Sequence, residues 1–142
     1  MTAQACHRGM IGRGEATATE LRVRDVMDPA PKTTPASTTV GELRAWFAAD
    51  AHVRTALLTD GTTLLGAMTP ADLPPDAPAD RLAVEFARRP ANIVGPHCPA
   101  AEALAQLDAG SACRAVVLGD DDQTLLGLVC MNAARTHFCV PQ

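Results

Sequence analysis

Apolar side chains recur at helical spacing in the middle of the chain. Val40, Leu43 and Phe47 stand at i, i+3 and i+7, and this spacing places all three on one face of a predicted helix. Thr39 precedes them in the position of an N-cap, and Glu42, three residues later, completes the sequence signature of a capping box. The pattern therefore predicts a helix that begins just after Thr39.

A second helix is predicted sixty residues further along. The first helix spans about residues 39–50, and its counterpart begins after Pro99, because proline is tolerated in the first helical turn. Glu102, Leu104 and Leu107 supply the acidic first turn and the apolar face of this second helix.

Short apolar runs follow each predicted helix in pairs. A polar turn separates the members of each pair, TDGT after the first helix and GDDDQT after the second, which predicts two β-hairpins. Short extended segments are also predicted before the helices, around 30–34 and 91–94. The four hairpin strands are Ala56–Leu58, Leu64–Met68, Val116–Leu118 and Leu125–Val129.

The chain contains an internal repeat. When the sequence is shifted by sixty residues, 39–60 aligns without a gap on 99–120, and glutamate, alanine, arginine, leucine and aspartate residues coincide. One inserted residue later, TLLG at 63–66 coincides with TLLG at 124–127. The 142 residues are therefore interpreted as a first and a second copy of one unit of about sixty residues, each too small to be comfortably stable alone.

The two copies differ directly after their shared LLG. The first reads LLGAMTPAD and the second LLGLVCMNA, so that Cys130 and Ala133 stand where the first copy has Thr69 and Asp72. A thiol is a weak hydrogen-bond partner and a methyl group is none. Asn132 is predicted as a displaced N-cap for a helix in AARTHF. We expect the second turn to bind no ligand itself, or to serve only as one wall of a binding cleft.

Composition and charge argue against several kinds of partner. The chain has 16 acidic and 12 basic residues, a formal net charge of −4, and few aromatic rings. It therefore lacks the positive surface and the stacking side chains typical of nucleic-acid binding. No apolar run approaches the roughly 18 residues of a transmembrane helix, and the N-terminus lacks the apolar segment of a secretory signal. We expect a cytoplasmic protein that binds neither nucleic acid nor membrane.

Catalysis and metal binding find little support in the sequence. Five cysteines occur without a C-x-x-C pair, and the short His/Cys pairs are too scattered for a structural zinc site. Cys113 and Cys130 lie in apolar segments and are interpreted as small core residues. Cys98, beside His97, is the best candidate for a reactive thiol, although an ordinary loop residue is the simpler interpretation. We expect no enzyme, no metal site and no required cofactor.

The predicted order strand, helix, strand, strand, helix, present twice, resembles a pair of CBS motifs (a Bateman module). The first copy opens with VRDVMDPAPKTTPASTTVGEL, similar to that family's Val-x-x-Val-Met turn, short strand and Thr-led helix. Its ending LLGAMTPAD matches the family's apolar strand followed by Thr/Ser-x-x-Asp, and LGDDDQTLLGLV carries the resemblance in the second copy. The resemblance covers about residues 21–135 and implies an α/β (α+β) fold of two tandem motifs packed as a pseudo-symmetric pair.

The resemblance also suggests limits for each segment, with little attached to the two motifs. Leu82, Val84 and Phe86 are assigned to the start of the second motif. The predicted segments are a flexible N-terminal arm (1–20), motif 1 (21–73), a proline-rich linker (74–80), motif 2 (81–138) and a C-terminal tail (139–142).

Proteins of this family bind an adenosyl compound, usually AMP, ADP or ATP, in a cleft between their two motifs, and S-adenosylmethionine is a further candidate. The resemblance assigns ribose and phosphate contacts to Thr69 and Asp72. It adds the pair Val53-Arg54 and, mostly through the backbone near the adenine, the strand around Lys32. Arg54 could pair with phosphate oxygens through its forked guanidinium, or it could be a solvated charge at a strand end. One nucleotide per chain is expected.

Two functions remain open from the sequence. In the first, the chain is a regulatory sensor that binds an adenine nucleotide and signals by conformational change to an unidentified partner, as a homodimer of the kind such pairs commonly form. In the second, Thr69 and Asp72 only cap a helix with Pro70 at its first position, and the chain is a ligand-free dimerisation or interaction module.

Overall fold

The computed structural model describes residues 10–49, 55–110 and 113–140. Their contacts divide the chain into two compact units. The central unit is Lys32–Pro90, and the discontinuous unit joins Met1–Pro31 to Ala91–Gln142. Within the described ranges there are four α-helices and three small sheets, which confirms the predicted mixed α/β fold.

The helices and strands follow one another in a repeating order. In chain order they are β1 (Ile11–Gly12), α1 (Arg13–Ala18), α2 (Val23–Val26), β2 (Thr34–Pro35), α3 (Val40–Ala49), β3 (Ala56–Asp60), β4 (Thr63–Met68), two 3₁₀ helices (Pro70–Asp72 and Ala83–Phe86), β5 (Ile93–Val94), α4 (Ala100–Gly110), β6 (Arg114–Leu118), β7 (Leu125–Cys130) and β8 (His137–Phe138).

The predicted capping box begins α3. The carboxylate of Glu42 accepts the backbone N–H of Thr39 at 3.0 Å, and the N–H of Glu42 donates to the Thr39 hydroxyl at 3.2 Å. The backbone hydrogen bond from Thr39, followed by that from its hydroxyl, lowers the pKa of Glu42. These bonds satisfy donors that an uncapped helix would leave without a partner.

The sheet of the central unit has the order β2-β3-β4, with β2 parallel and β4 antiparallel to β3. Val40 and Leu43 from α3 are buried against Leu58 and Met68 from the hairpin, and Phe47 is partly buried beside them. The predicted helix face and the first predicted hairpin are therefore confirmed.

The proline-rich segment 74–80 lies along the amino end of α3. Arg44 Nη2 donates to the carbonyl of Pro74 at 2.6 Å, and the N–H of Gly41 donates to the carbonyl of Ala79 at 3.0 Å. The 3₁₀ helix Ala83–Phe86 then packs on the core of the central unit. Val84 and Phe86, assigned from sequence to the second motif, thus lie with the helix and hairpin of the first copy. Their apolar pattern predicted burial, but a local pattern does not identify which core buries it.

The discontinuous unit repeats this arrangement around α4. Its sheet has the order β5-β6-β7, parallel and then antiparallel, as predicted for the second copy. Val23 and Val26 of α2 are fully buried in a core that includes Leu104 and Leu107 of α4. The opening turn of the first copy therefore packs in the unit that contains the helix and hairpin of the second copy.

Residues 11–18, expected to be part of a flexible arm, form a strand and a helix in this unit. Strand β1 pairs antiparallel with β8, and Ala16 of α1 is fully buried. Arg13 Nη2 lies 2.6 Å from Asp108 Oδ2 on α4. The few apolar residues in this stretch show no periodicity from which a helix or strand could be predicted. The stretch is structured through its contacts with residues about a hundred positions away. None of the described helices is long and apolar enough to cross a membrane.

Candidate functional site

Strand β4 ends in a tight polar turn built by Thr69 and Asp72. The backbone N–H of Thr69 donates to Asp72 Oδ2 at 2.8 Å, and the Thr69 hydroxyl lies 3.1 Å from the same oxygen. The N–H of Asp72 donates back to the carbonyl of Thr69 at 2.9 Å. Pro70 is at the first position of the short 3₁₀ helix, where its missing N–H costs nothing.

The turn presents polar groups to solvent. Thr69 is exposed, and the side chain of Asp72 keeps 21% of its accessible surface. The sequence predicted a helix at this point, but only three residues, Pro70–Asp72, are helical. The positive end of a long helix is therefore not available here, and the chemistry of the turn depends on its hydroxyl and carboxylate.

Arg88 is a neighbour of this turn that sequence reasoning missed. Its Nε lies 3.4 Å from Asp72 Oδ1, on the other oxygen from the one that Thr69 contacts. The Arg88 side chain is 79% exposed. An ion pair this exposed contributes about 0–1 kcal/mol, so a ligand could displace it at little cost.

The backbone around Gly66 fixes the place of Arg88. Arg88 and Ala67 exchange two backbone hydrogen bonds, of 2.7 and 3.0 Å, so residue 88 extends the edge of β4. A Cβ at Gly66 would lie 2.8 Å from the Cβ of Ala87 and 3.1 Å from the carbonyl oxygen of Arg88. The glycine of the repeated LLG permits this approach. The repeated glycine indicates in the sequence that another backbone segment packs closely against this strand, but it does not identify that segment.

The other predicted site residues do not join this group in the described part of the chain. Lys32 is exposed and lies two residues before β2, which β3 separates from β4 in the sheet. Val53 and Arg54 lie outside the described residues. Thr69 and Asp72 are thus the predicted pair that the fold brings together, and Arg88 is added to them.

The equivalent turn of the second copy has a different backbone. The N–H of Met131 donates to the carbonyl of Cys113 at 2.7 Å, and the N–H of Asn132 donates to the carbonyl of His137 at 3.0 Å. Met131 also pairs with Phe138 of β8. The residues that follow Cys130 therefore continue a β ladder where those after Met68 form a 3₁₀ helix.

The interpretation of Asn132 as a helix cap was wrong. AARTHF forms a turn followed by β8, and the side-chain oxygen of Asn132 accepts the backbone N–H groups of Thr136 at 2.8 Å and His137 at 3.1 Å. Asparagine bonds readily to nearby backbone in turns as well as at helix ends. Because local sequence permits either outcome, the pairing of β8 with β1 and with Met131 decides it.

Asp28 occupies in the discontinuous unit the position that Arg88 has in the central unit. Asp28 and Leu128 exchange backbone hydrogen bonds of 2.8 and 3.0 Å, beside Gly127. Leu128 precedes Ala133 by five residues, as Ala67 precedes Asp72. In the first copy a cation, Arg88, lies beside Asp72, whereas in the second copy the equivalent strand-edge position has a carboxylate and the residue in the place of Asp72 is an alanine.

The cysteine considered for reactivity is held as a neutral thiol. Burial, followed by hydrogen bonding to Glu102, raises the pKa of Cys98, whose Sγ lies 3.6 Å from a carboxylate oxygen of Glu102. A reactive cysteine needs the opposite, a positive surrounding that lowers the pKa. Across the described ranges, no group of three or more His, Cys, Asp and Glu side chains is placed to hold a metal ion.

Comparison with known proteins gives matches among solved structures. No protein-family model matches the sequence, and no curated protein matches it. The CBS domains of a transcriptional regulator from Streptococcus pneumoniae match with a TM-score of 0.64 at 18% identity, over 78% of this chain and 92% of that one.

Two further matches carry bound groups in their own structures. The CBS domain of a bacterial CNNM/CorC family Mg²⁺ transporter, in complex with ATP, has a TM-score of 0.60 at 19% identity and covers 77% of this chain and 80% of that one. Hypoxic Response Protein I, with two coordinated zinc ions, has a TM-score of 0.62 at 18% identity, over 77% and 92%. These likenesses establish a shared fold.

Proposed function

We propose that this chain, which has the fold of a CBS-domain pair, is a regulatory module that binds one adenine nucleotide at the turn containing Thr69 and Asp72. The Asp72 carboxylate accepts hydrogen bonds from the ribose hydroxyls, and the exposed Thr69 hydroxyl donates to a phosphate oxygen. Val53, Arg54 and Lys32 are proposed as further contacts. No catalytic step is part of this proposal.

The observation that carries the proposal is the difference between the two turns. The first copy keeps a hydroxyl and a carboxylate, with the two side chains 3.1 Å apart at an exposed turn. In the second copy a thiol and a methyl group replace them. Two similar structures contain ATP, the CBS domain of a bacterial CNNM/CorC family Mg²⁺ transporter and the cytosolic domain of the Mg²⁺ channel MgtE, and they support a nucleotide as the class of ligand.

Regulation requires that the ligand prefer one conformation of the chain over another, since a ligand with equal affinity for both shifts neither. We propose that binding changes the conformation around the Thr69–Asp72 turn and that a partner protein responds to the change. A homodimer in the cytoplasm is proposed as the working form, from the resemblance alone.

Calorimetric titration of the full chain with AMP, ADP, ATP and S-adenosylmethionine tests the proposal. We expect one adenine nucleotide to bind per chain, and Asp72→Ala to weaken binding by about 10-fold or more, because the ribose loses a charged acceptor. Asp60→Ala, at the opposite end of the same hairpin, is the matched control and should bind as the unaltered chain does. If no adenosyl compound binds the unaltered chain, the proposed function is wrong.

A ligand-free interaction module is the second candidate. One observation favours it: both donors of Thr69 contact Asp72 Oδ2, so the two residues satisfy each other without a ligand. In that case Asp72→Ala lowers only the free energy of unfolding, and sedimentation velocity of the chain is the same with and without nucleotide.

A further inference from the structure

We propose that Arg88 alternates between two partners, pairing with Asp72 in the free chain and with a phosphate group of the ligand in the bound chain. This exchange makes the site selective for phosphorylated nucleosides over adenosine and over S-adenosylmethionine. The inference rests on the proposed function and specifies the class of ligand that the site accepts.

The first step concerns how many hydrogen bonds the Asp72 carboxylate can accept. A carboxylate has about four accepting positions, two on each oxygen. Oδ2 accepts the N–H and the hydroxyl of Thr69, and Oδ1 lies 3.4 Å from Nε of Arg88 as an ion pair. Oδ1 is therefore the oxygen that a ligand can use, and Arg88 lies against it. A ribose offers two hydroxyl groups, and the departure of Arg88 opens both positions on Oδ1 to them.

The position of Arg88 carries the second step. The backbone of residue 88 is held by its two hydrogen bonds to Ala67, so the guanidinium remains beside the turn after it leaves Asp72. The side chain is exposed and can rotate without unpacking the core. A guanidinium has five donors in a planar fork that matches phosphate oxygens. A phosphate next to the ribose is the group that such a fork would bind.

The second copy supplies a natural contrast. Three positions differ together between the copies, and each difference removes a group that we assign to the ligand: Thr69 becomes Cys130, Asp72 becomes Ala133, and Arg88 becomes Asp28. A carboxylate at the last position would repel a phosphate. The sign of the charge at residue 88 thus changes together with the two residues that the proposed function assigns to the nucleotide.

The test compares charged and uncharged ligands on full-length variants. The unaltered chain should bind AMP about 10-fold or more tightly than adenosine, since a hydrogen bond to a charged group has this effect on affinity. Arg88→Gln should weaken AMP binding by about 10- to 100-fold. Its affinity for adenosine should be unchanged or rise a few-fold, because Asp72 no longer pairs with an arginine. Arg88→Lys should retain part of the preference for AMP.

Arg81→Gln is the matched control, because Arg81 is an exposed arginine of the same unit and pairs with Glu85 at 2.6 Å, separate from the turn. It should keep the preference for AMP. The inference is overturned if Arg88→Gln binds AMP normally, if it loses AMP and adenosine equally, or if Arg81→Gln has the same effect. A chain that binds no adenosyl compound overturns the proposed function instead, and this inference with it.

Discussion

The turn after β4 and the turn after β7 begin from the same sequence and reach different structures. After Met68 the chain makes a 3₁₀ helix whose hydroxyl and carboxylate contact each other at an exposed surface. After Cys130 the backbone continues as a ladder that pairs Met131 with Phe138. The second turn therefore lacks both the side chains proposed to bind the ligand and the backbone conformation that presents them in the first turn.

A repeated glycine is what the two turns retain. In each copy the glycine of LLG permits another segment to pair with the edge of the strand, Ala87–Arg88 at Gly66 and Met27–Asp28 at Gly127. The repeat therefore preserves a packing requirement, whereas the polar residues after the glycine differ between the copies.

The largest expected effect is the loss of stability when either glycine gains a methyl group. At Gly127 an added Cβ would lie 2.6 Å from the carbonyl oxygen of Asp28, compared with 2.8 Å from the Cβ of Ala87 at Gly66. We expect Gly127→Ala to lower the free energy of unfolding by about 3 kcal/mol and Gly66→Ala by about 2 kcal/mol, because overpacking costs this much.

Urea denaturation measures both values, with Gly14→Ala as the control. Gly14 lies in α1 with open space around it, so alanine should stabilise the chain there by up to about 1 kcal/mol. Equal midpoints for the Gly66, Gly127 and Gly14 variants would show that the close approaches have no role.

The next effect concerns how each turn is held. The side chain of Asn132 accepts hydrogen bonds from the backbone N–H groups of Thr136 and His137 and donates from Nδ2 to the Thr136 hydroxyl at 3.0 Å. We expect Asn132→Ala to cost about 1–2 kcal/mol and Asp72→Ala about 1 kcal/mol, the usual value of a cap. Thermal unfolding of the two variants in parallel checks the order. A larger loss for Asp72→Ala would mean that its turn contributes more to the free energy of unfolding than the turn held by Asn132.

A smaller effect is expected at acid pH, where the two hairpin turns should respond differently. The hydroxyl of Thr124, followed by backbone N–H groups, lowers the pKa of Asp121 in the second hairpin turn. A lowered folded pKa gives a stability contribution that is present above the unfolded value of about 3.9 and is lost as pH falls through the folded pKa. The first hairpin turn instead uses Gly61 at φ +62°.

Amide hydrogen exchange, corrected for intrinsic rates, separates these turns. Below about pH 4 the protection of Thr124 should fall while that of Thr63 in the other hairpin stays constant. Asp121→Asn should remove the pH dependence at Thr124. Equal changes in both hairpins would point to global acid unfolding, to which the lowered pKa of Asp108 beside Arg13 and Arg135 also contributes.

The smallest effect on nucleotide binding is expected when the second turn is given the side chains of the first. The double variant Cys130→Thr, Ala133→Asp makes this change. We expect calorimetry to give the same number of nucleotides per chain as before, because the backbone donors of Met131 and Asn132 are already bonded to Cys113 and His137. A second binding event would show that side chains alone distinguish the two turns.

Elements with strong local signals could be predicted from the amino-acid sequence. The helix after Thr39, the second helix after Pro99 and both hairpins were predicted near their observed limits. Each depends on periodicity, capping and turn residues that lie within a few positions of one another. The pairing of Thr69 with Asp72 was also within reach, because the two residues are three apart on one turn.

The segments that share a core could not be predicted from sequence and are known from the folded structure. Residues 23–28 pack with the helix and hairpin of the second copy, and residues 83–88 with those of the first. Contacts of this kind between distant segments also determine three further features. They are the strand and helix at residues 11–18, the ladder at Met131 and the position of Arg88 beside Asp72. The physical reason is that apolar pattern and propensity act locally, whereas these placements depend on which distant backbone occupies the free edge of a strand.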